Sequence, residues 1–280
     1  MYSEELNIEA AHQTLVCGIR KFFSGSGISK AILGLSGGID SAVVAALATE
    51  ALGKENVHGF MMPSEFSTLH SIQDAVDLAE SLDIRYNVIP IGKIYNKFMK
   101  ELQPVFGVNN QWNVAEENLQ ARIRGTLLMA YSNKFNALAL NTSNKSELSV
   151  GYGTLYGDLA GAVMVIADIY KTEVYELAEF INRERRIIPQ STITKAPSAE
   201  LRQGQKDSDS LPDYSLLDYI LHSLNEGGKS PEKLLEEGVD KDILNKVTDL
   251  MGKARFKLMQ VPPVIKVSSK PLVEKSKWIC

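Results

Sequence analysis

One short string constrains this chain more than any other feature. Ser36-Gly37-Gly38-Ile39-Asp40-Ser41 lies between an apolar run and a helix of small residues. Ala31 to Leu35, bounded by turn residues, reads as a buried strand, and Asp40 to Leu52 as a helix. Adjacent glycines let the backbone turn tightly and approach an anion, with several N–H groups aimed inward. The helix N-terminus that follows adds free donors and the positive end of its dipole. Ser36 and Ser41 supply hydroxyls. Asp40 cannot itself contact a phosphate, so its charge suits holding Mg²⁺ against one. A plain strand-to-helix turn with Asp40 as N-cap would explain two glycines, but not the whole string after a buried strand. The string is no Walker A loop, because no Gly-Lys-Ser/Thr follows, and its adjacent glycines do not fit a dinucleotide fingerprint.

Around this string, strands alternate with helices. Ala11, Leu15, Ile19 and Phe22 recur at helical spacing, and Ser24 to Gly27 ends that opening helix. Strands are expected at Val57 to Met62 and Tyr86 to Ile91. A helix from Thr68 to Leu82 separates them, with Ile72, Ala75, Val76 and Ala79 on one face. Ala115 to Asn133 is a long helix striped by Leu119, Ile123, Leu127 and Ala130. Strands at Ala137 to Leu140 and Val163 to Ile166 flank a glycine-rich loop, Gly151 to Gly161. A helix marked by Val174, Leu177, Ala178 and Ile181 follows. Such alternation implies parallel βαβ units, an α/β fold. Residues 195–213 are polar and suit a mobile surface loop. Helical patterns near Ser215–Leu224 and Lys241–Lys253 precede a proline-bearing tail, about residues 258–280, expected to be extended. No repeat or second domain shows, so residues 1–280 read as a single domain.

Charge and cysteine content exclude several function classes. Thirty basic against thirty-four acidic residues give a net charge of −4, and no basic run forms a nucleic-acid footprint. Cys17 and Cys280 stand far apart with no metal-type spacing; Cys17 is expected as a small buried helix residue and Cys280 as a loose end. A disulfide framework is not expected, which fits a reducing compartment. The acidic N-terminus has no signal-peptide pattern, and no run approaches the length of a membrane span, so a cytoplasmic location is expected. His12, His58, His70 and His222 form no metal-like cluster.

The six-residue string resembles the pyrophosphate-binding loop (PP-loop) of the N-type ATP pyrophosphatases. That resemblance implies a Rossmann-like doubly wound parallel sheet flanked by helices, of the adenine nucleotide alpha hydrolase-like kind, and cleavage of ATP between its α and β phosphates. Three further segments narrow the substrate. In Glu117 to Arg124, Asn118 and Arg122 share one helix face, opposite the Leu119/Ile123 stripe, and suit a ribose or phosphate. Asn141 to Glu147 leads into Gly151 to Asp158 just after a strand, where open α/β sheets place ligands. Lys195-Ala196-Pro197-Ser198-Ala199-Glu200-Leu201 opens the polar loop. Together these are similar to the NAD synthetase family, closest to the synthetase domain of its glutamine-dependent form, in order from about Leu35 to Pro262.

The family resemblance implies amidation of deamido-NAD (nicotinic acid adenine dinucleotide) by ammonia, with ATP as co-substrate, giving NAD, AMP and pyrophosphate. It places ATP on Gly34, Leu35, Ser36, Gly37, Gly38, Ile39, Asp40, Ser41, Thr142, Lys171 and Ser198, with Met62-Pro63-Ser64 near adenine. Mg²⁺ would rest on Asp40 and Glu147. Deamido-NAD would lie on Asn118, Arg122, Glu147, Tyr152, Gly153, Thr154, Leu155 and Lys257. Ser36, Asp40 and Lys171 are the expected catalytic groups, with Asp158 as a candidate to take a proton from ammonia. Taken singly, Arg122 reads as a solvated arginine, Lys171 as a helix flank with Thr172 as cap, Glu147 as a surface charge and Lys257 as part of a wet basic stretch. The ammonia-dependent form typically carries a lysine where this chain has Leu155, and Lys257 lacks its usual basic neighbours. The family is usually a homodimer. About thirty residues precede the loop's strand, too few for a glutaminase domain, so free ammonia or ammonia from a separate glutaminase is expected. The rivals are another PP-loop ligase, such as a GMP synthetase-like or thiolating enzyme, and a nucleotide sensor without catalysis.

Overall fold

The computed structural model describes residues 6–107 and 111–279. Cys280 lies outside them. The chain opens with α1 (Ile8–Ser26), capped by the Asn7 side chain on Ala10 N–H and ended by Gly27 in the left-handed region. There follow β1 (Lys30–Gly34), α2 (Ile39–Leu52), β2 (Val57–Met61), α3 (Leu69–Ser81), β3 (Arg85–Val88), α4 (Gly92–Phe106), α5 (Val114–Phe135) and β4 (Ala137–Asn141). The second half holds α6 (Lys145–Val150), β5 (Val163–Met164), α7 (Lys171–Ile181), α8 (Gln190–Thr194), α9 (Tyr214–Asn225), α10 (Pro231–Glu236), α11 (Lys241–Leu258), β6 (Val264–Ile265) and β7 (Trp278–Ile279).

The seven strands form one sheet in the order β3-β2-β1-β4-β5-β6-β7, with every pairing parallel. This is the doubly wound α/β arrangement that the loop string implied. The chain winds outward through β2 and β3, then returns to place β4 on the other side of β1. The order therefore reverses between β1 and β4, the position where such sheets open a ligand crevice beyond the strand C-termini.

Strand periodicity builds a core on each face of the sheet. Ala31 and Leu33 of β1 pack with α1, α2 and α7 residues such as Leu15, Val44 and Leu177. Ile32 points the other way, against Phe60, Ile123 and Ala139 beneath α5. In α2 nine of fourteen residues are buried, all of them apolar except Ser41, because the helix is covered on several sides rather than one. A third cluster joins α9, α10 and α11 through Leu217, Leu221, Leu234 and Val247.

Some expectations change. Cys17 is exposed, not buried, because the helical period turns it away from the face carrying Leu15, Val16, Gly18 and Ile19. Strand β3 stops at Val88, short of Ile91, and β5 spans two residues rather than four. Helix α4, absent from the sequence patterns, buries only Tyr95. The tail is not merely extended: α11 runs to Leu258, and β6 and β7 add the last two strands of the sheet. Asp207 and Leu211, inside the polar segment 195–213, are buried.

Candidate active site

The pyrophosphate loop leaves β1 and is braced before any ligand arrives. The Ser36 and Ser41 hydroxyl oxygens lie 3.1 Å apart. Ser41 Oγ donates to the Gly38 carbonyl at 3.0 Å, and Gly38 N–H donates to Ser36 Oγ at 3.2 Å. Gly37 has φ +77°, and a Cβ there would collide with the Ser71 backbone, whose carbonyl carbon and Cα would stand 2.8 and 2.9 Å away. Glycine is thus required at this position both for the left-handed backbone and for the contact with α3. The loop shares a cavity of about 310 Å³ with the ends of β2 and β4. Gly34, Leu35, Ser36, Gly38, Ile39 and Asp40 line it, as do Met62, Pro63 and Thr142. Gly37 and Ser41 lie behind the wall and hold the loop's shape.

Three charged groups meet at the loop's helix end. Lys171 Nζ donates to Asp40 Oδ2 at 2.5 Å and lies 3.7 Å from Glu147 Oε1. Asn144 Nδ2 donates to Asp40 Oδ1 at 2.9 Å, while its own Oδ1 caps α6 by accepting Glu147 N–H. The Lys171 side chain is 3% exposed and that of Glu147 17%. Lys171 does open α7, but its side chain is more than a helix flank and Glu147 more than a surface charge: both line the cavity. Burial and the neighbouring Asp40 carboxylate push Glu147 up to about 8, against the pull of the Lys171 ammonium. Burial works against the Lys171 charge, yet Asp40 and Glu147 outweigh it and raise the lysine above its ordinary value.

Among the described residues no group of three or more His, Cys, Asp or Glu side chains could hold a metal ion. The pair Asp40–Glu147 nevertheless fits Mg²⁺ bound with ATP. Such a cation takes one or two carboxylates and completes its octahedron with phosphate oxygens and water. Two carboxylates that share one lysine, the second pushed up by burial and by the first, form a site that gains from an added cation.

The polar segment forms another wall. Lys195 Nζ donates to the Gly37 carbonyl at 2.9 Å and Ser71 Oγ at 2.9 Å, and lies 3.2 Å from Asp74 Oδ2. Glu200 accepts from Ser71 Oγ at 2.6 Å and from Thr68 N–H at 3.1 Å, covering the first turn of α3. Ser198 lines the cavity, and its hydroxyl donates to the Gln205 carbonyl at 2.6 Å. Arg124, also on the wall, donates from Nε to the Met62 carbonyl at 2.9 Å. Sequence reasoning assigned no role to Ser71, Asp74, Arg124, Asn144 or Lys195. Arg124, Asn144 and Lys195 stood inside the quoted segments, whereas Ser71 and Asp74 carried no signal of their own.

The residues expected to hold deamido-NAD form a second, adjoining cluster. Tyr152 and Glu147 face the cavity, but Asn118, Arg122, Gly153, Thr154, Leu155 and Lys257 do not line it. Thr154 Oγ1 donates to Asn118 Oδ1 at 2.7 Å, and Arg122 Nε donates to the Leu155 carbonyl at 3.3 Å. Lys257 Nζ donates to the Gly151 and Gly153 carbonyls, each at 2.7 Å, so it ties α11 to the glycine-rich turn. That turn packs straight onto α5, where a Cβ on Gly157 would stand 2.9 Å from the Ala121 carbonyl carbon and one on Gly125 3.0 Å from the Gly157 carbonyl oxygen. Asp158 lines the cavity and accepts Thr154 N–H at 2.7 Å. Burial raises its pKa, against the pull of that hydrogen bond.

The chain's relatives share this arrangement's fold and length of match. The family model described as NAD synthase matches residues 11–261. The glutamine-dependent NAD(+) synthetase of Synechocystis sp. is 51% identical over 265 residues, which are 95% of this chain and 47% of that protein. The chain thus spans about half the length of the curated relatives it matches. Among solved structures, the NH3-dependent NAD synthetase of Campylobacter jejuni superposes with a TM-score of 0.75 at 34% identity, covering 94% of this chain and all (100%) of that one. NMN synthetase from Francisella tularensis gives a TM-score of 0.78 at 29% identity, covering 90% of this chain and 96% of that one. With its braced pyrophosphate loop at the sheet's reversal point and a family match over nearly its whole length, the chain belongs to the NAD synthase family.

Proposed function

We propose that this chain catalyses ATP-dependent amidation of deamido-NAD by ammonia through an acyl-adenylate, releasing AMP and pyrophosphate and forming NAD. The observation that carries the reading is the convergence of the Ser36–Ser41 loop, Lys171 and the Asp40–Glu147 pair on one cavity. Such a set receives a triphosphate and stabilises charge on a departing pyrophosphate.

In the first step the nicotinate carboxylate attacks the α-phosphorus of ATP. The bond to the bridging oxygen breaks, and its electron pair leaves with pyrophosphate. Loop N–H groups and Lys171 stabilise the negative charge on the leaving group. Mg²⁺, held by Asp40 and Glu147, would add charge neutralisation at the same phosphates. In the second step ammonia attacks the acyl carbon, and AMP leaves from it. One proton must depart from nitrogen. Asp158 is the candidate acceptor, since its burial raises its pKa in the direction a base requires. Lys195 to Leu201 closes one side of the cavity and would limit hydrolysis of the adenylate. Asn118, Arg122, the Tyr152–Leu155 turn and Lys257 form the proposed dinucleotide surface, ATP lying against Thr142, Lys171, Ser198 and the Gly34–Ser41 loop, whose Gly37 and Ser41 support it from behind.

The test is a product assay. Purified chain, ATP, Mg²⁺, deamido-NAD and ammonium salt should yield AMP, pyrophosphate and NAD in equal amounts. Nicotinate mononucleotide replaces deamido-NAD in a parallel reaction, because a structural relative bears the name NMN synthetase. Faster turnover of the mononucleotide would overturn the choice of substrate. Glutamine replaces ammonium in a third reaction; equal or better activity of the isolated chain with glutamine would refute direct ammonia use. We further propose a homodimer, to be checked by sedimentation. No described helix is long and apolar enough to cross a membrane.

A further inference from the structure

Behind the Lys171–Glu147 pair stands a carboxylate that the proposed chemistry does not use. Asp218, in α9, is 0% exposed. Its Oδ1 accepts the Ser146 hydroxyl. Its Oδ2 accepts Thr172 N–H and Thr172 Oγ1, both at 2.9 Å. Ser146 Oγ in turn accepts the N–H of Lys171 at 2.8 Å. Ser146 immediately precedes Glu147 in α6, and Thr172 immediately follows Lys171 in the first turn of α7.

A buried carboxylate is costly unless hydrogen bonds replace its water. Here all of the bonds just described come from two helices, and none comes from a basic side chain. A neutral side chain could cap α7 alone, and the free N–H groups of its first turn also favour an anion. What Asp218 adds is a tie with two ends. One oxygen grips α6 and the other grips α7, so a single planar group spans the two helices beside their direct bond from Lys171 N–H to Ser146 Oγ. The same two helices carry Glu147 and Lys171, the groups that meet at the cavity.

We propose that Asp218 is a positioning residue: by holding α6 through Ser146 and α7 through Thr172, it sets the Glu147–Lys171 geometry in which the phosphates and metal of ATP are received. The inference rests on the ligase reading above, and its experiment separates the two.

Asp218→Ala is compared with wild type and Asp218→Asn in the full chain. With ammonium as nucleophile, Asp218→Ala should lower kcat by about 10- to 100-fold and raise the half-saturating Mg²⁺ concentration by about tenfold, as loss of a supporting partner does elsewhere. The KM for deamido-NAD should hold. Asp218→Asn, which keeps one acceptor, should recover part of both losses. In a Lys171→Met background, Asp218→Ala should cost less than about threefold more, because the group it positions is already gone. A crystal structure of Asp218→Ala should show Lys171 Nζ displaced from Glu147. Retention of the wild-type Lys171–Glu147 geometry, or a loss of activity that merely follows the folded fraction, overturns the proposal. If wild type forms no AMP, the ligase reading fails, and the crystal structure together with calorimetric binding of Mg²⁺-ATP still decides the role of Asp218. Should Asp218→Ala not fold, Thr172→Val removes one of the two α7 donors to Asp218 without touching a bond of Lys171 and takes its place under the same readouts.

Discussion

Gly37→Ala tests the pyrophosphate loop at its tightest point. The perturbation is one methyl group. At φ +77° a non-glycine residue costs about 1–2 kcal/mol in backbone strain. The methyl would also sit 2.8 Å from the Ser71 carbonyl carbon and 2.9 Å from its Cα, with the carbonyl oxygen nearer still. These are backbone atoms of α3, so no side-chain rotation relieves them. Loop and helix must separate, and Lys195, which bonds both the Gly37 carbonyl and Ser71, resists that separation. With about 1–3 kcal/mol more for overpacking, the substitution should cost about 2–5 kcal/mol in stability. For a chain of this size that lowers Tm by about 5–15 °C. Displacing the loop's N–H groups by an ångström should also cost about 100-fold in kcat/KM for ATP. Thermal melting and pyrophosphate release measure the two effects. Gly34→Ala is the matched control for stability: its Cβ would meet first the flexible end of Met62, at 3.5 Å, with no positive φ. It should melt within about 2 °C of wild type, as surface-like substitutions do. A Gly37→Ala chain that melts with the control and uses ATP normally would refute the account of both strain and contact.

Further outcomes follow from the same geometry. Lys171→Met leaves Asp40 and Glu147 without their buried cation, which should destabilise the fold by about 3–5 kcal/mol. Added Mg²⁺ should restore part of that Tm, and indifference to Mg²⁺ would count against a shared cation site. Asn118→Ala and Arg122→Ala should raise the KM for deamido-NAD by about tenfold, the scale of one lost hydrogen bond, while the KM for ATP stays within about twofold. Equal effects on both substrates would dissolve the distinction between the two clusters. Glu173, pushed up to about 7 chiefly by burial, supplies a pH test. A raised carboxyl contributes stability that is full below about pH 4.5 and is lost as pH rises through about 7. Glu173→Gln keeps an acceptor for the Tyr170 N–H but has no charge to bury. It should therefore flatten the loss between those values and melt higher than wild type at pH 8. A wild-type decline as steep in the variant would show that Glu173 is not its source.

Much of the site was legible because its chemistry is local in sequence. Adjacent glycines between a buried strand and a helix of small residues announce an anion loop, and Gly37 needs its residue type for reasons the string already suggests. The helix pattern from Ala115 to Asn133, which the structure extends to Val114–Phe135, and the strands on either side of β1 were equally legible, since periodicity reports burial on one or both faces. Elements that are very short or weakly buried were not. Helix α4 buries one residue, and β6 and β7 are two residues each. The place of the two strands comes from pairing onto β5 in turn, because two residues are too few to show a period. Cys17 differs from expectation for the opposite reason: residue type alone suggests burial, but the helical wheel turns it away from the buried face of α1.

By itself the sequence determined that a glycine-bearing turn of the anion-loop kind follows a buried strand, and that a carboxylate at Asp40 accompanies it. Only the tertiary structure decided what surrounds that carboxylate. Lys171 and Glu147 are 131 and 107 positions from Asp40 in the chain, yet they share its corner of the cavity. Lys195 reaches the loop from the polar segment, and Asp218 reaches both helices from behind. Periodicity and turn chemistry act over a few residues and are written in the chain. Burial of charge, the resulting rise of Glu147 to about 8, and the spacing of helix ends depend on packing between distant segments, which only the folded sheet brings together.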